Sequence, residues 1–594
     1  MPYNIILLSI ANWIYLQFQT EQVQSIYFYY YLLIFIGFIL SLLFSWKEIK
    51  KTIRGVKKGT YAILGAVLLL FALLELIFVK PTHMLYNDEY IYVSIAKIML
   101  TEHLAAVCSF SNATMCVSGT AGFIHQPLGW PFLLSLPSSI FGVNFAVAYS
   151  MEFVFALLAI VLIFYVSYLL FHNERTSVLA GAILAFTPIF MRYALTNVLD
   201  IPALTFLLLS VFLLLCYMET KSTKIGIASI FSIAYMLSIK VDMISALGII
   251  FLIVLFDEHG FKGKNARRDL FKFLILLAVG FVVILPDLLY IVAATQVSFG
   301  APVGQSNFGL SYLKSNLVPN ILFWFGRYDS VYVSVFNSYY YDEFPITFSI
   351  FSIVGFFFLF RSKKYRLFFI LALWFLTIFV FYTSYYAGGV LYSAGDDVRY
   401  FIDAFPVVAL TASYSFFSIL KYIENRSHLS YSKKRLIAAF LLIILFIEAF
   451  WLFFKYVTIP PLHIYPFAAE RYDEALILQN YQKIPSNCFV LTFKPPLWYI
   501  LNRGNIYAGW ITDPRYMSKL LNMSNGCLYF DYSVSCYINF TGPPNTEQQC
   551  NQVVKTFKMY PIAETHLDNY SWNISMYIYK ITGFNNTNST LNRG

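Results

Sequence analysis

Apolar runs of about 20 residues, each closed by a short polar segment, recur along the chain as far as residue 456. A helix of that length is what crosses a hydrocarbon core, so the pattern predicts a polytopic α-helical membrane protein. The expected spans are Ile5–Leu16, Ile26–Trp46, Tyr61–Val79 and Val143–Phe171. They continue at about 177–195, 199–217, 223–239, 242–256, 271–293, 345–360, 366–386, 401–420 and 436–456. That makes about 13 spans. The first run is short, but it lacks a basic start and a small-residue cleavage site, so it reads as a span and not a signal segment.

Between the spans the polar segments alternate in kind. KEIKKTIRGVKKG (47–59), HNERT, EHGFKGKNARRD, RSKKYR and the loop 421–435 carry most of the clustered Lys and Arg. Cationic loops stay in the cytosol, so these mark one face. The long loops 80–141 and 294–344, the segment AGGVLYSAGDDVRY and everything after residue 457 fall on the other, outer face. Within the first long loop, IYVSIAKIML places Ile91, Ile95, Ile98 and Met99 on one side of a helix, the pattern of a helix lying in the interface plane.

The outer segments also hold the sequons Asn112, Asn522, Asn539, Asn569, Asn573, Asn585 and Asn588, and six cysteines. Asn425 matches the sequon pattern by chance in a basic loop. An even set of cysteines suits an oxidising compartment. Cys108 with Cys116 and Cys536 with Cys550 could each close a small loop, and connectivity among the six stays open. The tail alternates strand and helix: FVLTF, PPLWYIL, CLYFDYS, TEQQCNQVVKTF and a closing MYIYKI. The expected organisation is an N-terminal hairpin with its basic loop (1–59), a transmembrane catalytic module (60–456), a small extracytosolic α/β domain (457–584) and a disordered end (585–594).

Composition agrees with this picture. The chain is 59% hydrophobic and 12% charged, with a mean hydropathy of +0.66, whereas a soluble domain carries about 25% charged residues. The net charge of +10 could suggest nucleic acid, but its concentration in short loops between spans is what membrane topology requires.

Ionisable residues at the membrane edge then carry the functional argument. Asp88 and Glu89, in YNDEY, are delivered to the outer face just beyond a span, where such groups mark a site. Asp200, Lys240, Asp242, Asp396, Asp397 and Arg399 fall at outer turns, Arg192 lies one turn before such a turn, and His125, Asp342 and Glu343 come from the two long outer loops. Each has an ordinary explanation. Asp200 can cap a helix, Lys240 and Asp242 can form an exposed pair, His125 can be a structural loop residue, and Arg399 can snorkel. Together they suit transfer from a lipid-linked phosphate, which needs a base for the acceptor and positive charge for the leaving phosphate. There is no Walker A and no GxGxxG after a strand, which disfavours a nucleotide-sugar donor.

YNDEYIYVSIAKIM, HQPLGWPFLLSLPSSIFGVNFAVAY, SVLAGAILAFTPIFMRYALTNVLDIPALTFLLL and VRYFIDAFPVVAL resemble the GT-C superfamily of membrane glycosyltransferases. The likeness is to the protein O-mannosyltransferase and aminoarabinose-transferase families and covers roughly residues 60 to 420. The resemblance implies a metal-assisted transferase, with Mg, Mn or Zn as the divalent cation. The donor would be a polyprenyl- or dolichyl-phosphate sugar, and the acceptor a protein, lipid or glycan. By position it assigns Asp88 as base with Glu89 in support, Asp200 and Glu89 to the metal, and Lys240 and Arg399 to the donor phosphate. His125, Arg192, Asp242 and Asp397 are secondary candidates. Gln126 stands where the family has a Pro, which leaves the role of His125 open. The alternatives are an oligosaccharyltransferase of the same superfamily, against which GWITD (509–513) is a poor match to the WWDYG-like element, and a lipid-linked-sugar flippase, against which no internal repeat is found. The sequons suit the plasma membrane of an archaeon-like cell.

Overall fold

The computed structural model describes residues 16–17, 20–81, 83, 87–117, 121–122, 127–255, 266–294, 308–326, 344–385, 396–426, 430–457, 467–509, 524, 526–537, 546–569 and 572–585. His125, Asp342, Glu343 and almost all of the expected span 5–16 lie outside the described residues, as does the chain end from 586.

In chain order the helices are α1 (Glu21–Thr52), α2 (Lys58–Phe78), α3 (Asn87–Thr101), α4 (Gly129–Phe141), α5 (Phe145–Phe171), α6 (Glu174–Ala185), α7 (Pro188–Tyr193), α8 (Asp200–Thr220), α9 (Thr223–Ile239) and α10 (Ala246–Leu255). They continue as α11 (Ala266–Ala294), α12 (Ser311–Trp324), α13 (Ile346–Arg361), α14 (Tyr365–Thr383), α15 (Phe405–Arg426), α16 (Tyr431–Leu452), α17 (Phe467–Asn480), α18 (Pro495–Ile500) and α19 (Thr546–Thr556). Among the described residues, 8 helices are long and apolar enough to cross a membrane, and shorter apolar helices lie at Thr223–Ile239, Val241–Val254 and Ile346–Arg361. These coincide with the expected spans from Ile26–Trp46 onward, with one exception. The expected span 177–195 is broken into α6 and α7. Pro188 has no N–H to continue a helix and disfavours the helical region for the residue before it. Thr187 is accordingly extended (φ −72°, ψ 117°).

The chain forms two compact units. The first contains Tyr30–Met84 and Ala148–Pro460. At its centre is α8, buried at nearly every position from Asp200 to Met218. By contrast, α2 exposes Leu69, Leu73, Leu76 and Ile77, as a lipid-facing helix does. Without a hydrophobic drive between helices in lipid, close backbone approach and hydroxyl pairs hold them together. Gly355 of α13 is such a contact: a Cβ there would lie 2.1 Å from the Thr411 carbonyl oxygen of α15. Beside it the Ser352 and Thr411 hydroxyls are 2.7 Å apart.

The second unit contains Tyr15–Tyr29, Leu85–Val147 and Pro461–Gly594. It is thus larger than the expected 457–584 domain, because the first long loop packs with the tail. The tail contributes β4 (Phe489–Thr492), β5 (Gly504–Tyr507), β6 (Leu528–Tyr532), β7 (Phe557–Asn569) and β8 (Trp572–Phe584), and the loop contributes β1 (Val107–Cys108), β2 (Phe110–Ser111) and β3 (Ala121–Gly122). The sheet order is β2-β5-β4-β6-β8-β7, and β1 pairs separately with β3. β4 runs parallel to β5 and β6, while β2 joins β5 antiparallel with Ser111 opposite Asn505. The strands expected at FVLTF, CLYFDYS and MYIYKI are β4, β6 and part of β8, and the two expected helices are α18 and α19. Three disulfides form: Cys108–Cys116, Cys488–Cys527 and Cys536–Cys550. Cys216 is free and buried in α8.

The helix expected to lie in the interface plane is instead enclosed. Every residue of α3 from Tyr90 to Met99 is buried, polar ones included. Its Lys97 is 6% exposed and donates to the Tyr499 carbonyl (2.5 Å) and to Asn502 Oδ1 (2.9 Å). The ammonium also lies 3.9 Å from the Tyr499 ring centroid. One turn on, Glu102 Oε1 accepts from the Cys116 amide (2.8 Å) and the Tyr499 hydroxyl (3.2 Å). A second buried knot sits under the sheet. Lys494 donates to Glu470 and Asp473 of α17, and Asp531 of β6 accepts from Thr492 and from the Trp498 indole (both 2.8 Å). Burial, reinforced by the charge of Asp473, pushes the Asp531 carboxyl up to about 7.

Lys97→Met should lower the thermal stability of the full-length protein by about 1–3 kcal/mol, since the buried Tyr499 carbonyl loses its donor. Burial brings the Lys97 ammonium down to about 8, against the opposing pull of Glu102. The folded value lies below the unfolded value of about 10.4, so this lysine's contribution is largest above the latter and is lost as pH falls through the former. The stability gap between wild type and K97M should therefore widen as the pH is raised from about 8 toward about 10; a gap constant with pH would contradict the assignment.

Candidate functional site

Four helix ends meet in the first unit: the start of α8, the end of α9, the end of α14, and a 3-10 turn (Asp396–Ala404) that leads into α15. The sequence builds each of them locally. Asp200 occupies the first turn of α8, where a carboxylate is favoured by the helix dipole. α9 stops at Ile239, and Lys240 follows in extended conformation (φ −144°, ψ 115°) before the 3-10 turn Val241–Ser245. That turn of the chain aims Lys240 inward.

The Lys240 Nζ is 2.8 Å from Asp200 Oδ1 and 3.1 Å from Asp403 Oδ2. Lys240 is 4% exposed, Asp200 2% and Asp403 0%. A buried charge is tolerated only when it is paired and hydrogen-bonded, and here one ammonium is matched to two carboxylates. Asp403 Oδ2 also receives the Tyr382 hydroxyl at 3.5 Å, while Asp403 Oδ1 makes no hydrogen bond among the described residues. Tyr382 and Tyr400 stack with centroids 4.9 Å apart. The Lys240 ammonium lies 5.3 and 5.5 Å from those two rings. Arg399 is half-buried, its guanidinium 5.1 Å from the Tyr400 centroid and its Nη2 3.4 Å from the Tyr400 hydroxyl.

The expected site residues fall in different surroundings. Lys240 was expected to meet a donor phosphate, but its ammonium is already bonded to two carboxylates. Asp200 was expected to bind a metal, and it is an ion-pair partner. Arg399 is the half-buried cation of the cluster. Asp242 sits half-buried in the turn after Lys240 and feels the charges of both Lys240 and Arg399. Arg192 is buried at the end of α7. Asp397 lies in the 3-10 turn, with its side chain outside the described residues. Asp88 and Glu89 belong to the second unit, in the first turn of α3; Asp88 is half-buried and Glu89 fully buried. Three members of the cluster were missed from the sequence: Asp403, Tyr382 and Tyr400. The signal for Asp403 was present, since a carboxylate inside the apolar run FIDAFPVVAL is a site hypothesis in its own right.

A divalent cation does not fit the described carboxylates of this cluster. Asp200 and Asp403 hold Lys240, and among the described residues no three His, Cys, Asp or Glu side chains are grouped as a metal ion needs.

With the geometry established, comparison with known proteins adds three findings. A family model described as dolichyl-phosphate-mannose-protein mannosyltransferase matches residues 125–290, a stretch that includes Asp200 and Lys240. No curated protein matches the sequence. Among solved structures, the oligosaccharyltransferase of Archaeoglobus fulgidus in its apo form is similar with a TM-score of 0.51 at 13% identity, covering 88% of this chain and 76% of that one. The same enzyme tethered to an acceptor peptide gives 0.52 at 12% identity, covering 87% and 74%. ArnT from Cupriavidus metallidurans bound to undecaprenyl phosphate gives 0.50 at 13%, covering 88% and 98%. The chain therefore has the GT-C type of fold, with a C-terminal sheet domain, and is an integral multi-pass membrane protein.

Lys240→Met should be the most destabilising single change at the cluster, by about 3–5 kcal/mol, because it strands two buried carboxylates. The triple variant D200N/K240M/D403N should recover much of that loss in the same thermal unfolding assay. Equal stability of the single and triple variants would show that the ion pairs are not what holds these helix ends.

Proposed function

We propose that the chain is a glycosyltransferase that moves a sugar from a polyprenyl- or dolichyl-phosphate donor to a protein, lipid or glycan acceptor. The observation that carries this reading is the coincidence of two independent findings. The stretch matched by the mannosyltransferase family model contains two of the three residues of the buried Lys240 knot. The donor class is supported by the neighbours of the same fold, since the A. fulgidus enzyme is known in complex with a dolichol-phosphate and C. metallidurans ArnT with undecaprenyl phosphate.

In this reading the acceptor oxygen forms a bond to the anomeric carbon as the bond from that carbon to the donor phosphate breaks. The acceptor proton goes to Asp88, and Glu89, buried beside it, supports that base. The departing lipid phosphate gathers negative charge, which a guanidinium stabilises with two parallel hydrogen bonds. Arg399 is that group. Lys240 acts at one remove, as a positioning residue that holds the 3-10 turn from which Arg399 and Tyr400 project. We assign the reaction to the extracytosolic face. Three disulfides in the unit that contains Asp88 and basic loops at the opposite helix ends support that side. The sequons favour an archaeon-like plasma membrane.

A second reading has one observation in its favour. The A. fulgidus structures are oligosaccharyltransferases, and the same site would then pass an oligosaccharide to an asparagine amide. The size of the transferred glycan separates the two.

Asp88→Asn should reduce transfer at least about a hundredfold, the usual scale for loss of a general base, while donor binding and membrane insertion stay near wild type. Release of free polyprenyl phosphate from a labelled donor measures the first, and lipid co-purification the second. Full turnover in D88N would remove Asp88 from the role of base.

A further inference from the structure

The knot under the sheet of the second unit holds more acid than base. Glu470 and Asp473 of α17, Asp531 of β6, and Lys494 between β4 and α18 are 6%, 0%, 0% and 4% exposed. Three carboxyl groups thus share one ammonium in a site nearly closed to solvent. Lys494 donates to Glu470 and to Asp473 Oδ2, so its charge is engaged with the two carboxylates of α17. Asp531 instead accepts at Oδ2 from two neutral donors, the Thr492 hydroxyl and the Trp498 indole (both 2.8 Å). Asp473 Oδ1 and Asp531 Oδ1, both buried, make no hydrogen bond among the described residues.

Carboxylates this close together, in a site this dry, cannot all be ionised. Lys494 supports the ionised forms of Glu470 and Asp473, and the Val534 amide also favours that of Asp473. Asp531, with neutral donors alone, is where a proton is retained. Burial, and then the charge of Asp473, push its carboxyl up to about 7. The other charged groups near the knot leave the excess of acid in place. Glu474 of α17 adds to the negative charge felt by Glu470 and Asp473. Lys580 of β8 is half-buried on the same sheet face, opposite Tyr529 and two residues along β6 from Asp531.

Asp473 and Asp531 belong to different elements, which are packed together. α17 lies on the sheet through the buried Ala469, Leu476 and Ile477, and the two carboxyls meet across that packing. With Asp531 neutral the contact holds; with both ionised, like charges face each other in a low dielectric. We propose that this cluster is a proton-operated clasp, in which neutral Asp531 holds α17 against the sheet and ionised Asp531 loosens it. The clasp is closed in acid and opens as the medium around this unit turns alkaline. The proposal is independent of the transfer reading.

The folded carboxyl keeps its proton to a higher pH than the unfolded one, whose value is about 3.9. The folded state therefore binds more protons between the two values, and its stability falls as pH rises through that interval. Hydrogen exchange of the full chain in detergent, corrected for the intrinsic pH dependence of exchange, tests this between about pH 5 and about pH 8. Protection of the α17 amides should fall at least about tenfold over that range. The amides of α19 should change much less, since that helix packs on the other face through Cys550 and Val553, beside Phe530. Asp531→Asn keeps an acceptor in place but cannot ionise, and should flatten the α17 profile. Thr492→Val removes a donor that favours the ionised form, and should move the midpoint to higher pH. Protection of α17 that is constant with pH, or that falls equally in D531N, overturns the clasp. An equal loss in α19 would show unfolding of the whole domain in its place, and a midpoint unmoved in T492V would overturn the assignment to Asp531.

Discussion

The ion pairs of Lys240 are the constraint on which the membrane unit depends. One ammonium, almost without solvent, is bonded to Asp200 and Asp403, carboxylates 203 positions apart in the chain. None of the three could be buried alone, because an unpaired charge costs far more than a helix contact returns. Their pairing therefore requires the start of α8, the end of α9 and the turn before α15 to arrive together. The stacked pair Tyr382 and Tyr400 brings in the end of α14 and sets the Arg399 guanidinium against the Tyr400 ring.

This division of labour alters what the polar residues at that end can do. A lysine bonded to two carboxylates is poorly suited to receive a phosphate, whereas a half-buried guanidinium resting on an aromatic ring is well suited to it. Asp200 is likewise committed to its ion pair with Lys240, while Asp88 and Glu89 stand in the first turn of α3, a helix buried along its length and fastened through Lys97 and Glu102.

Much of this was legible in the sequence, for identifiable reasons. Span positions depend on local hydropathy alone, so α8, α9 and α14 lie where the apolar runs placed them. The strands at Phe489–Thr492 and Leu528–Tyr532 follow from local alternation as well. The break at Pro188 was readable from proline chemistry and was passed over because the surrounding run is uniformly apolar. The enclosure of α3 was not readable. Its partner Tyr499, in α18, lies some 400 positions away, and no local pattern distinguishes a helix resting on lipid from one buried under a distant helix. The knot of Lys494, Glu470, Asp473 and Asp531 escaped for the same reason, since its members come from separate elements of the tail.

The central claim is that the Lys240 end of this fold serves transfer from a lipid-linked phosphate. Purified protein incubated with a panel of labelled sugar donors, polyprenyl-phosphate-linked and nucleotide-linked, tests it most directly. The account predicts sugar loss from a polyprenyl-phosphate donor with release of the free lipid phosphate, and none from any nucleotide donor. Consumption of a nucleotide sugar alone, with every lipid-phosphate donor left intact, would contradict it.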